Sequence, residues 1–140
     1  MSDVQALAIR PDEDILNDVQ TMIYHYPPLN QDRHHVHAAV ANGRASLSGY
    51  VKTWNTRRYL EGAMPQIRGV TDVDLSRLFD DDSIRLEVGK VIPVGVIANI
   101  EYGTVVLTGQ APEGMTDDEV AAKVGAVQGV RRVVTAFRNG

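Results

Sequence analysis

The sequence contains no cysteine. Disulfides, iron–sulfur clusters, thiol nucleophiles and zinc sites built on thiolates are therefore excluded. It has no apolar run approaching the roughly 20 residues that cross a bilayer, so a transmembrane helix is not expected. It has no surplus of basic residues either. Its 14 Lys and Arg stand against 18 Asp and Glu, a formal charge of −4, so the basic footprint of a general nucleic-acid binder is missing. The first residues, MSDVQALAIRPDED, lack a basic stretch followed by an apolar one. That predicts a cytoplasmic protein, with a periplasmic location reserved for a processed fragment. What the chain does have is 140 residues, 44% of them hydrophobic. This suits a globular fold made of one ordinary domain or two small ones.

An internal repeat decides between these. VHAAVANGRASLSG from Val36 aligns with VIANIEYGTVVLTG from Val96, pairing Gly43 with Gly103, Leu47 with Leu107 and Gly49 with Gly109. The same offset of 60 carries Leu60 to Val120, Met64 to Val124, Ile67 to Val127, Gly69-Val70 to Gly129-Val130, and Val73 to Val133. Upstream the offset becomes 69, where Asp12-Glu13-Asp14-Ile15 resembles Asp81-Asp82-Ser83-Ile84 and Val19 matches Val88. The first unit thus carries about nine extra residues around YHYPPLNQDRHH. Such an insertion reads as a loop, where length changes cost little. The chain divides into units 12–79 and 80–140. The join, Leu78 to Asp82, has no Gly/Ser/Pro linker, which predicts units held close together.

Each unit reads as α-β-β-α-β. Ile15, Leu16, Val19, Met22 and Ile23 recur at helical spacing, with Asp12 or Asp14 supplying the N-cap and first-turn charge and Pro27-Pro28 as the stop. Asn42-Gly43 lies between two alternating runs and predicts a type I′ hairpin. A second helix is expected over Thr56 to Ile67, ended by Gly69, and a last strand over Val70 to Leu78. The second unit should repeat this with a helix over Ile84 to Ile92 and a hairpin at Tyr102-Gly103. A helix over Asp117 to Val127, capped by Thr116 with Glu119, and a strand over Val130 to Arg138 complete it. The expected fold class is α+β: two tandem units, each a three-stranded mixed sheet with two helices on one face, the second helix returning by a right-handed crossover.

The pattern resembles the BON domain, a family named for bacterial osmotic-shock and nodulation proteins. The resemblance is carried by Val36, Gly43, Leu47, Gly49, Gly69, Val70 and Val73. In the second unit it is carried by Val96, Asn99, Gly103, Leu107, Gly109, Gly129, Val130 and Val133. These are turn glycines and core aliphatics, so they mark a fold and no active site. The resemblance implies a binding function. Tandem members from bacterial envelopes are associated with anionic phospholipid and membrane integrity. A cytoplasmic relative with one such unit and a further module is associated with potassium sensing.

Candidate chemistry is sparse. His35 and His37 would project from one side of a strand as two nitrogens of a metal edge, with Asp32 as a third ligand. A polar insertion and a solvated strand face account for them more simply, and no cofactor is expected. Asp80-Asp81-Asp82 lacks calcium-loop spacing and reads as helix capping. No G-x-S-x-G, H-E-x-x-H, P-loop or dinucleotide fingerprint occurs, and Ser46 and Ser48 have no base aimed at them, so enzymatic activity is not expected. Trp54, Arg57, Arg58, Arg131 and Arg132 are the candidate contacts to lipid phosphates and a bilayer interface. The loop aromatics Tyr24 and Tyr26 are better read as packing under the loop.

The most informative comparison lies between the two sheets. On the face away from the helices the first unit offers His37, Ser46, Asp74 and Ser76. The second offers Ile97, Val106, Val134 and Ala136 at the equivalent positions. Four polar residues have become apolar, which predicts that the second face is buried against the first unit or a second copy of the chain. The resemblance implies two functions, a non-enzymatic, stress-related module binding phospholipid or an envelope-associated partner and a cytoplasmic potassium sensor, and the apolar face points to a third, an assembly protein that forms homo-oligomers through the second sheet.

Overall fold

A computed structural model describes residues 9–138. They fall into two compact units. One holds the residues up to Val51 with Asn55–Leu78, and the other holds Lys52–Trp54 with the residues from Phe79 onward. The first unit opens with α1 (Asp12–His25), followed by short 3-10 turns at Pro27–Leu29 and Arg33–His35. Strands β1 (Val36–Ala41) and β2 (Arg44–Val51), helix α2 (Trp54–Ala63), a 3-10 turn at Met64–Gln66 and strand β3 (Asp72–Asp80) complete the order. The second order is α3 (Asp81–Gly89), β4 (Val96–Glu101), β5 (Thr104–Gly109), α4 (Asp117–Gly125) and β6 (Arg132–Thr135).

Both sheets have the second hairpin strand in the middle, with orders β1-β2-β3 and β4-β5-β6. The hairpins pair antiparallel in the same register, Val36 opposite Gly49 and Val96 opposite Gly109. Parallel pairing of β5 with β6 sets Val105 beside Val133 and Val106 beside Val134. Ile15 and Val19 of α1, Leu60 of α2 and Met64 of the turn after it share one cluster with Val36, Ala45 and Leu47 of the sheet. Ile84, Val88, Val120, Val124, Val96, Val105 and Leu107 are the buried counterparts in the second. Alternation along the strands sends every second residue to these cores and leaves the other face open.

The turns are type I′. Asn42 and Gly43 have φ of 53° and 80°, and Tyr102 and Gly103 have 48° and 79°. Tyrosine pays for this conformation where glycine does not, so the second turn needs support from its surroundings. At Gly49 and Gly109 it is space that requires glycine. A Cβ at Gly49 would fall on the carbonyl oxygen of His35, and one at Gly109 on that of Gly95. The close approach is strand against chain.

Element ends shift from the sequence reading. Pro11, with no side-chain hydrogen bond, stands at the N-cap of α1 in place of Asp12 or Asp14, whereas Asp80 caps α3 through the Ser83 amide. Thr116 caps α4 by accepting from the Glu119 amide at 3.1 Å. Helix α2 begins at Trp54 and tightens after Ala63 because Pro65 has no N–H to continue the ladder. Helix α3 covers Asp81–Gly89 in place of Ile84 to Ile92, and α4 ends at Gly125. β3 and β6 begin two residues late, since Thr71 and Arg131 donate instead to the tip carbonyls of Gly43 and Gly103.

Candidate functional site

The best-organised polar feature is repeated. The Asp12 carboxylate accepts from the amides of Asn42 (2.8 Å) and Gly43 (2.9 Å). The Asp81 carboxylate accepts from those of Tyr102 (2.7 Å) and Gly103 (3.0 Å). Each hairpin tip is thus tied to the first residue of a helix. Asp81 is only 2% exposed, so its bonds are shielded from water and strong. This is the support that the left-handed Tyr102 requires. Every oxygen involved is committed to the fold, and the feature holds two parts of a unit together without offering a reactive group. The aspartate run read as helix capping therefore divides its labour: Asp80 caps, Asp81 clamps the hairpin, and Asp82 accepts from the Trp54 amide at 3.0 Å.

The open faces differ. On the first sheet Arg44 reaches Asp72 at 3.2 Å and Asp74 at 3.3 Å. Asp74 also accepts from the Ser76 hydroxyl at 2.6 Å and amide at 2.9 Å. These Ser76 bonds, the hydroxyl first, and then Arg44 and Arg77 hold the Asp74 carboxyl below the ordinary Asp range. The charges of this face neutralise one another. The second sheet has Thr104 in place of Arg44, Arg132 in place of Asp72 and Val134 in place of Asp74. Register puts Arg132 beside Thr104 and Val134 beside Val106 on that open face. Ile97 is 59% exposed, Val106 and Val134 are half-buried, and Ala136 is exposed just past β6, its amide bonded to Leu107. Among the described residues Arg132 forms no ion pair. The expectation of a covered face therefore meets an exposed Ile97 in the chain.

The remaining sequence candidates separate. His35 closes a 3-10 turn and only His37 stands in β1, so the strand alternation that was to align them does not apply. No group of three metal-ligating side chains occurs among the described residues. Arg57 is removed from the lipid set. Its guanidinium donates to the carbonyls of Leu78 (3.0 Å) and Leu75 (3.1 Å) and pairs with Glu61, fixing α2 to β3. Arg58, Arg131 and Arg132 are exposed, and Trp54 is partly so. Tyr26 stacks on Tyr59 at 3.6 Å, so part of the aromatic loop packs as expected. Sequence reasoning missed the Asp12 and Asp81 clamps. Their signal was the aspartate retained at offset 69 beside a second aspartate free to cap.

Comparison with known proteins agrees with this architecture. Residues 12–76 match the model of the BON domain family. No curated protein sequence matches the chain. Two solved structures share the fold. The C-terminal domain of CdsD, a structural protein of the type III secretion system of Chlamydia trachomatis, superposes with a TM-score of 0.73 at 16% identity, over 91% of this chain and 66% of that one. A second structure of CdsD gives a TM-score of 0.60 at 17% identity, over 91% and 63%. This chain spans less than two thirds of either. No helix among the described residues is long and apolar enough to cross a membrane.

Proposed function

With residues 12–76 matching the BON domain family, we propose that the chain is a non-enzymatic binding module that engages anionic phospholipid through the open face of its second sheet. The observation carrying this reading is the exchange of an internally neutralised face for an apolar one with a cation beside it. Ile97, Val106 and Val134 supply surface that gains by leaving water. Arg132, with no ion pair among the described residues, supplies a planar donor suited to phosphate. A partner at the bacterial envelope and a role under stress are the setting in which such a module works.

The test is co-sedimentation with vesicles of phosphatidylglycerol or phosphatidylcholine. The expected result is binding to the first and not the second, falling with added salt. Val106→Glu should abolish it. Arg132→Gln should weaken it about fivefold, as expected for one arginine near an anionic surface. Equal binding to both vesicle types, or full binding by Val106→Glu, sinks the reading. The exposed Ile97 also favours a second reading, assembly of copies through the same face, and the fold shared with a secretion-system structural protein supports it. In that case Val106→Glu converts an oligomer to a monomer in light scattering, without vesicle binding by either form.

A further inference from the structure

The nine additional residues of the first unit build a cavity. Between Val19 and Val36 the chain is nine residues longer than between Val88 and Val96. This stretch is anchored, not loose. Leu29 is fully buried, Tyr26 stacks on Tyr59, and buried Asp32 donates its amide to Leu29 and accepts from the His35 amide at 2.8 Å. Against α1 and β1 it borders an open, shallow cavity of about 350 Å³, a size that suits a small molecule. Ile23, Val36 and Ala38 form an apolar floor, and Tyr24, Arg33 and His34 form the wall. Part of the floor recurs in the second unit as Val96 and Ala98, but the wall belongs to the first alone. The Arg33 guanidinium lies 4.7 Å from the Tyr24 ring centroid, which leaves its edge for further hydrogen bonds. Arg33 forms no ion pair among the described residues, and no carboxylate lines the cavity.

We propose that this cavity is a binding site for a small organic anion, a carboxylate carried on an apolar body. The floor takes the apolar part. Arg33 receives the carboxylate, with His34 beside it at the rim. A neutral molecule of the same shape gains the floor and loses the charge-assisted bond. The second unit keeps part of the floor without a cation over it, so it serves as an internal control.

Amide shifts of the full chain, titrated with 2-naphthoate, octanoate or neutral 2-naphthamide, test this. Either acid should perturb Tyr24, Arg33, His34, Val36 and Ala38, and spare Val96 and Ala98. Tighter binding of naphthoate identifies a flat body, and tighter binding of octanoate an acyl chain. Arg33→Gln should weaken the acids about tenfold, and the amide should bind about tenfold more weakly than its acid. Arg33 also sits beside the C-terminal turn of α1, where a cation stabilises the helix. If that were its whole role, Arg33→Gln would lower the melting temperature and leave naphthoate affinity unchanged, which overturns the proposal. Equal affinity for naphthoate and naphthamide on the unaltered protein overturns it as well, whether or not the variant folds.

Discussion

The first and second units place the same kinds of residue in their cores and at their hairpin tips, and different kinds on their open sheet faces. Leu47 and Leu107 are buried to the same degree, as are Ile15 and Ile84, and Leu60 and Val120. Asp12 and Asp81 make the same pair of bonds to a hairpin tip. Away from the helices the likeness ends. Arg44, Asp72 and Asp74 form a neutral cluster in one unit, and Thr104, Arg132 and Val134 replace it in the other. The insertion is likewise confined to one unit. Features that recur are those without which an α-β-β-α-β unit would not close. Features that do not recur are free of that demand, and these are where binding is expected.

The largest expected effect breaks the likeness of the two clamps. Asp81 is buried, and its partners Tyr102 and Gly103 are too. Asp81→Ala leaves two donors unsatisfied away from water and releases a left-handed tyrosine, at a cost of about 3 kcal/mol. Asp12 is half-buried and Asn42 exposed, with only Gly43 buried, so water replaces part of what Asp12→Ala removes, and the cost is about 1 to 2 kcal/mol. Urea denaturation followed by hydrogen exchange at each hairpin separates the two. Equal losses would show that burial does not distinguish the clamps. A smaller effect sharpens the contrast between helix starts. Asp80 accepts from the Ser83 amide at 2.8 Å and hydroxyl at 2.9 Å, so Asp80→Ala should cost about 1 to 2 kcal/mol. Pro11 caps without a side-chain bond, and Pro11→Ala should stay within about 0.5 kcal/mol. A larger loss at Pro11 would mean that its fixed φ, and not a hydrogen bond, starts α1.

The repeat makes most of the fold legible in the sequence. Offsets of 60 and 69 align residues that are buried in pairs, and Asn42-Gly43 signals its turn directly, because both features depend on local periodicity and local backbone preference. The clamps were not legible in the same way. Asp12 meets a turn 30 residues away and Asp81 one 21 away, so spacing within a helix offers only capping as an explanation. Arg57 misled for the same reason: its partners are carbonyls of a strand that the local sequence does not place beside it. The insertion was read as a tolerant loop from its length and polarity. Its order comes from Leu29 and from the stacking of Tyr26 on Tyr59, and the second of these is a long-range contact. The exchange of four polar for four apolar residues was visible because comparing two copies inside one chain cancels everything the fold itself requires.

The smallest expected effect concerns acid, and it depends on the same exchange. The folded state holds Asp74 ionised to lower pH than the ordinary Asp value of about 3.9, through Ser76 and the neighbouring Arg44 and Arg77. Above that value both folded and unfolded chains carry the charge, and its bonds contribute in full. As pH falls, the unfolded chain takes up the proton first, so stability is lost until the folded carboxyl protonates as well. Asp74→Asn should therefore flatten part of the decline in melting temperature between pH 5 and pH 2, a window set by ordinary carboxylate behaviour, roughly pH 5 downward. The change should be slight, because exposed ion pairs are screened. Val134, at the equivalent position, carries no proton, so Val134→Asn should leave the acid limb unaltered. An unchanged limb in Asp74→Asn would mean that the polar cluster of the first face does not hold together in solution. The two open faces would then differ in hydropathy alone, and the neutralised charges could no longer explain why the second face, and not the first, is available for binding.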